Sequence, residues 1–418
     1  MSESERDLRE EESKTWREHS YEAVERLVGA SRLERVLLSI IALVIAIIIG
    51  MVFVFISGVY ATCKPPVDPF IVVSGLRFCY NPFKTFVILL IGSMDSAFSI
   101  ALTLQSTTLL IFAGLSVAIA FRAGLFNIGT QGQMVFGALA SGTVGAWLVP
   151  KVSPGIFGGI IVISGSILAA IIVGGIWGAI PGILKAYANA NEVITTIMLN
   201  IIASGIAFTL VTQYINPTGN IQTDPLPSWA MFGPILAPSG SRFSFIVFFA
   251  AIVTAGAIWY LLNYSAFGYN LRVSGQQPKA ADYSGVKSKQ MIVSTMTISG
   301  VLGGLTGATF VLMSQGYWTD ALPGFGFDGI TVSVLATNSP IGVIPAALLF
   351  GVLRSGTVAL QLNSPVPPQI ADVLRGIIIL LVAMPEFIRM LGLRAGMESF
   401  EQTHEVDTDV ESEVSADD

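Results

Sequence analysis

The sequence predicts an all-α, polytopic membrane protein, a bundle of about ten transmembrane helices. Composition and the apolar runs carry that reading. Of 418 residues, 53% are hydrophobic and only 12% are charged. A soluble fold keeps roughly a quarter of its residues charged to cover its surface. Lipid must therefore meet most of this chain. The 42 glycines fit the same picture, because Gly is enriched where membrane helices pack closely.

A helix needs about 20 apolar residues to cross the hydrocarbon core. Runs that qualify are 36–59, 103–121, 131–149, 156–184, 193–214, 243–262, 291–313 and 369–391. A further apolar region, 322–361, is broken at Asn338-Ser339-Pro340. Proline lacks an N–H donor and disfavours helix in the residue before it. The region therefore reads as two crossings, 322–338 and 341–361. The stretch 85–92 is too short to cross alone.

Charge divides the chain into three parts. Residues 1–35 form a polar tail with ten acids and seven bases, and 36–397 form the transmembrane domain. Residues 398–418 form an acidic, disordered tail with nine acids and no base. Such tails suit a salt-rich cytoplasm of the haloarchaeal kind. In the first tail Trp16, Tyr21, Val24 and Leu27 share one helical face. The segment is either an interfacial helix or a solvated tail.

Lysine and arginine in short loops set the orientation. Arg26, Arg32 and Arg35 precede the first run and place the N-terminus in the cytoplasm. Arg122, Lys185, Arg272, Lys279, Lys287 and Lys289 then fall inside. Ten crossings return the C-terminus to the cytoplasm beside Arg389 and Arg394. Lys64, Arg77, Lys84 and Lys151 run against this topology. No cleavable signal peptide is expected, since the first apolar run follows 35 polar residues and exceeds signal length. Cys63 and Cys79 flank a short polar stretch after that run. They are either a disulfide, if the stretch is extracellular, or two free thiols.

Several chemistries are excluded. No lysine follows a glycine, so there is no Gly-Lys phosphate loop and no ATP site of that type. His19 and His404 lie in the tails, which leaves no histidine metal site or base in the membrane. No Gly-x-Ser-x-Gly elbow and no basic stripe for nucleic acid is present. The expected chain has no catalytic residues, no metal and no cofactor of its own. Most acids between 86 and 391 fall at the ends of runs, so the spans are nearly neutral. Ion-coupled carriers usually bury ionisable groups to bind H⁺ or Na⁺. An outside energy source fits better, although Na⁺ can also be held by backbone and hydroxyl oxygens.

Four segments carry functional signals. Arg122 to Met134 is rich in Gly and holds Asn127, Gln131 and Gln133 between two apolar runs. It is either a tight turn with capping amides or irregular backbone facing a wet path. Asn191 to Asn200 opens a span. Asn191 suits the N-cap and Glu192 the positive helix end, while Thr195 and Asn200 continue inward as hydrogen-bonding glue or path lining. Gly268 to Gly285 is the longest loop expected in the cytoplasm between spans. Pro278 starts a short helix there and Gly285 ends it. Such a helix is a lever that another protein can push. Finally, Pro323 to Ile330 contains Asp328 and echoes Phe126-Asn127-Ile128-Gly129.

Together these segments resemble the permease family that serves nucleoside, ribose-type sugar and branched-chain amino acid ABC importers. The resemblance covers residues 100–392. It rests on Gly-Leu-Phe-Asn-Ile-Gly-x-x-Gly-Gln at 124–133 and Gly-Tyr-x-x-Arg-x-x-Gly-x-x-Pro-x-Ala-Ala at 268–281. It rests also on Gly-Phe-Asp-Gly-Ile at 326–330 before the Asn-x-Pro break. Asn-Glu-Val-Ile-x-Thr-Ile-Met-Leu-Asn at 191–200 looks most like the nucleoside branch. Val273-Ser274 and Gln277 depart from the family pattern.

The resemblance implies a subunit that moves a nucleoside or simple sugar across the cytoplasmic membrane by alternating access. It implies two ABC ATPase partners that bind the ATP, a second permease and an extracellular solute-binding lipoprotein. Arg272, Gly275, Pro278, Ala280, Ala281, Tyr283 and Gly285 would form the coupling segment that docks on an ATPase. Asn127, Gln131, Gln133, Glu192, Thr195, Asn200 and Asp328 would lie along the translocation pathway. An ion-coupled secondary transporter is the rival reading, and it demands an essential buried carboxylate such as Glu192 or Asp328. A channel or scaffold would tolerate changes at Pro278 and Ala281.

Overall fold

The computed structural model describes residues 32–59, 69–73, 75–217, 219–234, 238, 240–364, 366–367, 369–374, 376–378 and 380–381. The chain divides into two compact units, residues 54–375 and residues 1–53 with 376–418. In the second of these, the described residues are most of helix α1 (Arg32–Ser57) and the helical residues 376–378 and 380–381. The acidic tail lies outside the described residues, as does the face of Trp16, Tyr21, Val24 and Leu27.

The described residues of the unit 54–375 are mainly helical, with a small hairpin, β1 (Ile71–Val73) paired antiparallel to β2 (Leu76–Phe78). Phe78 stacks on Phe55, ring centroids 4.1 Å apart. Cys79, the next residue, is disulfide-bonded, and Cys63 lies outside the described residues. The helices that follow are α2 (Pro82–Leu90), α3 (Ala97–Arg122), α4 (Thr130–Leu148), α5 (Ile156–Ala188) and α6 (Glu192–Leu210). Then come α7 (Phe245–Tyr264), α8 (Ala266–Gln276), α9 (Pro278–Tyr283), α10 (Ser288–Thr309), α11 (Phe325–Leu335) and α12 (Val343–Asn363). Both α6 and α10 end in a π-helical turn, Val211–Ile215 and Phe310–Gln315.

Side-chain caps start several of these helices, the one at Asn191 as the sequence predicts. Ser96 accepts from the Ser99 N–H ahead of α3, and Asn191 accepts from Val193 and Ile194 ahead of α6. Each supplies a partner to donors that the first turn leaves orphaned. Asn189 closes α5 in the left-handed conformation at φ 50°, which Asn tolerates better than most residues.

Seven helices among the described residues are long and apolar enough to cross a membrane: α3, α4, α5, α6, α7, α10 and α12. A count of ten is therefore not confirmed. Residues 322–338 do not form a crossing helix. They hold α11, whose 11 residues extend about 17 Å, roughly half a hydrocarbon core. Of the expected last crossing, 369–391, residues 369–374, 376–378 and 380–381 are helical, and the others lie outside the described residues.

The core forms around α10, which packs against α3, α4 and α5. Glycines make this possible. A methyl group placed on Gly174 of α5 would lie 2.6 Å from Gly300 O, and one on Gly178 would lie 2.6 Å from Gly300 Cα. Gly137 of α4 meets Gly304 in the same way. With no side chains between them, the three backbones touch, which is how membrane helices gain van der Waals packing without a hydrophobic drive. The outer faces of α5, α6 and α7 are apolar and exposed, including Ile172, Ile201, Phe249 and Val253.

The bundle has two distinct ends. At one, Arg122 closes α3 and its Nε–H donates to Asn338 O in the turn between α11 and α12, at 2.9 Å. At the other, the loop after α6 clamps the loop after α10. Thr223 N–H donates to Trp318 O at 3.1 Å, and Trp318 N–H returns a bond to Thr223 Oγ1 at 2.9 Å. Arg242 caps the end of α10 by donating to Ser314 O and Gln315 O.

Candidate functional site: a lever at one end and an amide cluster inside

The lever is α8 with α9. Pro278 occupies the first turn of α9, where its missing N–H costs nothing. Ala281 is fully buried beneath α9, while Pro278, Lys279, Ala280, Asp282 and Tyr283 are exposed, Tyr283 by 94%. Three bonds latch this short helix, two to Ser288 at the start of α10 and one to Val286 in the turn before it. Ser288 Oγ–H donates to Pro278 O at 3.0 Å, Ser288 N–H to Asp282 Oδ1 at 3.1 Å, and Val286 N–H to Ala281 O at 3.0 Å. Gly285 turns the chain at φ 86°. Six residues alone would not hold a helix in water. The latch holds this one.

The other side of the lever touches the 123–129 segment backbone to backbone. A methyl on Gly275 would lie 2.5 Å from Ala123 O and 2.6 Å from its carbonyl carbon. Gly124, at φ 66°, faces Gly275 O in return. The structure thus brings Gly275, Pro278, Ala280, Ala281, Tyr283 and Gly285 into one protruding element, with Arg272 half-buried behind it on α8.

From Ala123 the chain turns back into the bundle and starts α4 at an amide cluster. Asn127, 1% exposed, donates from Nδ2 to Ser299 Oγ at 2.6 Å and to Gln133 Oε1 at 3.2 Å. Its Oδ1 accepts from Gly129 N–H at 2.9 Å and Gln133 Nε2 at 3.4 Å. Asn200 of α6 accepts from Gly132 N–H at 2.8 Å and donates to Ile128 O at 3.0 Å. Gln131 accepts from Gly326 N–H at 2.9 Å and donates to Pro323 O at 3.4 Å. Ser299 Oγ–H donates to Ser116 O, which ties the cluster to α3.

Asn127, Gln131 and Asn200 satisfy buried backbone groups around the start of α4, and Gln133 braces Asn127. Asn127→Leu strands Gly129 N–H and the Gln133 amide, and removes the donor that Ser299 Oγ accepts from. An orphaned buried polar group costs about 1–3 kcal/mol. The variant is expected to melt well below wild type in detergent, measured by thermal size-exclusion, and an unshifted midpoint would contradict the assignment.

Gln131 also joins two echoing segments. Helix α4 leaves the cluster for the clamped-loop end, and α11 leaves it for the Arg122 end. Each follows a loop that turns back after a long helix, α3 in one case and α10 in the other. This is an inverted arrangement, and the similarity of Phe126–Gly129 to Phe325–Gly329 runs along it.

The remaining expected residues stand elsewhere. Glu192 pairs with Lys185 at 2.9 Å, and Thr195 Oγ1–H donates back to Glu192 O at 3.1 Å. Both contacts stay at the start of α6 and do not join the amide cluster. Asp328, in the first turn of α11, pairs with Arg354 of α12 at 2.8 Å. The Arg354 guanidinium also lies 3.9 Å from the centroid of the Phe325 ring. Sequence reasoning missed Arg354, although an arginine inside the apolar run 341–361 was the signal. An unpartnered Arg at a helix centre costs about 2.5–3.5 kcal/mol on the insertion scale. The carboxylate and the ring offset that cost.

A family model described as the permease component of branched-chain amino acid transport systems matches residues 98–383. The chain belongs to this permease family. It is similar to the guanosine ABC transporter permease protein NupP of Bacillus subtilis, 33% identical over 86% of this chain and 96% of that one. It is similar also to the nucleoside ABC transporter permease protein NupB of Lactococcus lactis, 31% identical over 76% and 87%. The glucose ABC transporter permease protein TsgB13 of Haloferax volcanii is 27% identical over 74% and 82%. The permease is thus a multi-pass membrane protein and a transport component rather than an enzyme. The matched stretch takes in the lever, the amide cluster and the Asp328–Arg354 pair.

Proposed function

We propose that this permease is the membrane-spanning half of an ABC importer for a nucleoside, working by alternating access. The mechanical path from α9 through the Gly275–Ala123 contact to the amide cluster carries the reading. One of two ATPase subunits docks on the exposed face of α9, beside Pro278, Ala280 and Tyr283. Because α9 is latched to α10, closure of the ATPase pair moves α8, α9 and the start of α10 as one body. Because Gly275 abuts Ala123, that motion reaches the 123–133 segment without slack. A second permease completes the central path, and an extracellular lipoprotein delivers the solute. The Arg122 end with the lever faces the cytoplasm, as the arginines and lysines gathered there favour. Similarity to guanosine and nucleoside permeases supports the solute class.

Purification of the tagged permease from its native membranes tests the docking. An ATP-hydrolysing subunit and a solute-binding lipoprotein are expected to co-purify with wild type. Ala280→Asp puts a charge on the exposed face of α9 and is expected to lose the ATPase while keeping a wild-type elution profile. Undiminished ATPase recovery with this variant would remove α9 as the docking element.

A further inference from the structure

Arg354 is the twelfth of the 21 residues of α12. It lies about 16 Å from one end of that helix and about 14 Å from the other. In a hydrocarbon core about 30 Å thick, that is the middle. Asp328 pairs with it from the first turn of α11, whose 11 residues reach from the cluster to the Arg122 end. The pair is not sealed inside the bundle, for each side chain keeps 21% of its surface open. Beside it Phe327 is 47% exposed, and Val358, one turn along α12, is 41% exposed.

An ion pair at this depth does not face acyl chains. Intramembrane charges turn toward protein or a water-filled cavity and mark solute pathways. The outer surfaces of α5, α6 and α7 present Ile172, Ile201, Phe249 and Val253 and are suited to lipid. We propose that the face bearing Phe327, Asp328, Arg354 and Val358 lines the aqueous path, and that the solute touches it in passing. This rests on the importer reading and assigns that path to one surface of the permease. The chemistry fits a neutral solute with hydroxyls and a planar ring. The carboxylate accepts from sugar hydroxyls, the guanidinium donates to ring acceptors, and the Phe327 ring offers a stacking face. The pair is neutral overall, so it holds such a solute weakly enough to release it.

Water access at this face decides the matter. Phe327→Cys and Val358→Cys would be made in the complete importer, purified from native membranes and reconstituted. Ile201→Cys and Phe249→Cys serve as lipid-facing controls. Each would be treated with the impermeant cationic thiol reagent MTSET. Wild type gives the background, because Cys79 is in a disulfide.

Labelling at 327 and 358 is expected to exceed both controls by at least an order of magnitude and to slow when guanosine is present. Equal rates at all four positions would overturn the path assignment. Rates indifferent to guanosine, in a complex that imports guanosine, would overturn the solute contact. Failure of wild type to import guanosine would count against the nucleoside reading alone, since the relative rates need no solute. The double variant Asp328→Asn with Arg354→Gln keeps shape and hydrogen bonding. It is expected to assemble normally and to lose most uptake, and wild-type uptake would again overturn the contact.

Discussion

Gly304→Leu is expected to leave almost no folded permease in the membrane. A Cβ on Gly304 would meet Ala170 O and lie 3.1 Å from Gly174 Cα, both on α5. On the α4 side Gly137 already touches Gly304 backbone to backbone. Backbone cannot swing aside as a flexible side chain can. Overpacking a tight core costs about 1–3 kcal/mol when neighbours can yield. Here three helices would have to part, so every contact around Gly300 and Gly304 is lost together. Gly256→Leu is the matched control, because nothing lies within 4 Å of a Cβ there. Fluorescence-detected size exclusion after mild detergent extraction reads both. A folded, monodisperse Gly304→Leu protein would show that the α5–α10 contact is looser than described.

Gly275→Val is expected to separate assembly from transport. Its side chain would collide with the Ala123 carbonyl and push α8 away from the 123–129 segment. The latch of α9 to Ser288 lies on the far side and stays intact. The ATPase should therefore still co-purify and still hydrolyse ATP. Uptake should fall by more than an order of magnitude, because the push no longer reaches Asn127 and Gln133. Gly275→Ala, the smallest addition, should show the same split more weakly. Loss of uptake and hydrolysis in strict proportion would mean that Gly275 serves docking or folding and not transmission.

Much of this was legible from local pattern. Apolar runs located the crossing helices, since length and hydropathy are properties of one segment. Pro278 and Gly285 marked α9 because a helix start and a left-handed turn need those residue types. Asn191 was legible as a cap for the same reason. What pattern could not supply was partnership across the chain. Asn127, Gln131 and Asn200 were recognisable as polar residues inside apolar surroundings. That they hold one re-entrant segment against α6, α10 and α11 depends on contacts up to 195 residues apart.

The stretch 322–338 misled for a related reason. Its apolar residues suffice for a crossing, yet the chain from Gly316 to Gly324 turns back into the bundle before α11 begins. Gly326 donates its backbone N–H to Gln131, and a sequence window cannot foresee that. Arg354 was not legible by itself, because its meaning comes from Asp328 on another helix.

The most direct test of the account is uptake of labelled guanosine into proteoliposomes. One set would hold the complex purified from native membranes, with ATP inside or without it. A second set would hold the permease alone under an imposed H⁺ or Na⁺ gradient. The account predicts uptake only in the first set, only with ATP, and its collapse in Gly275→Val. Uptake by the permease alone, driven by an ion gradient and abolished by Asp328→Asn, would contradict it and make the chain a secondary transporter.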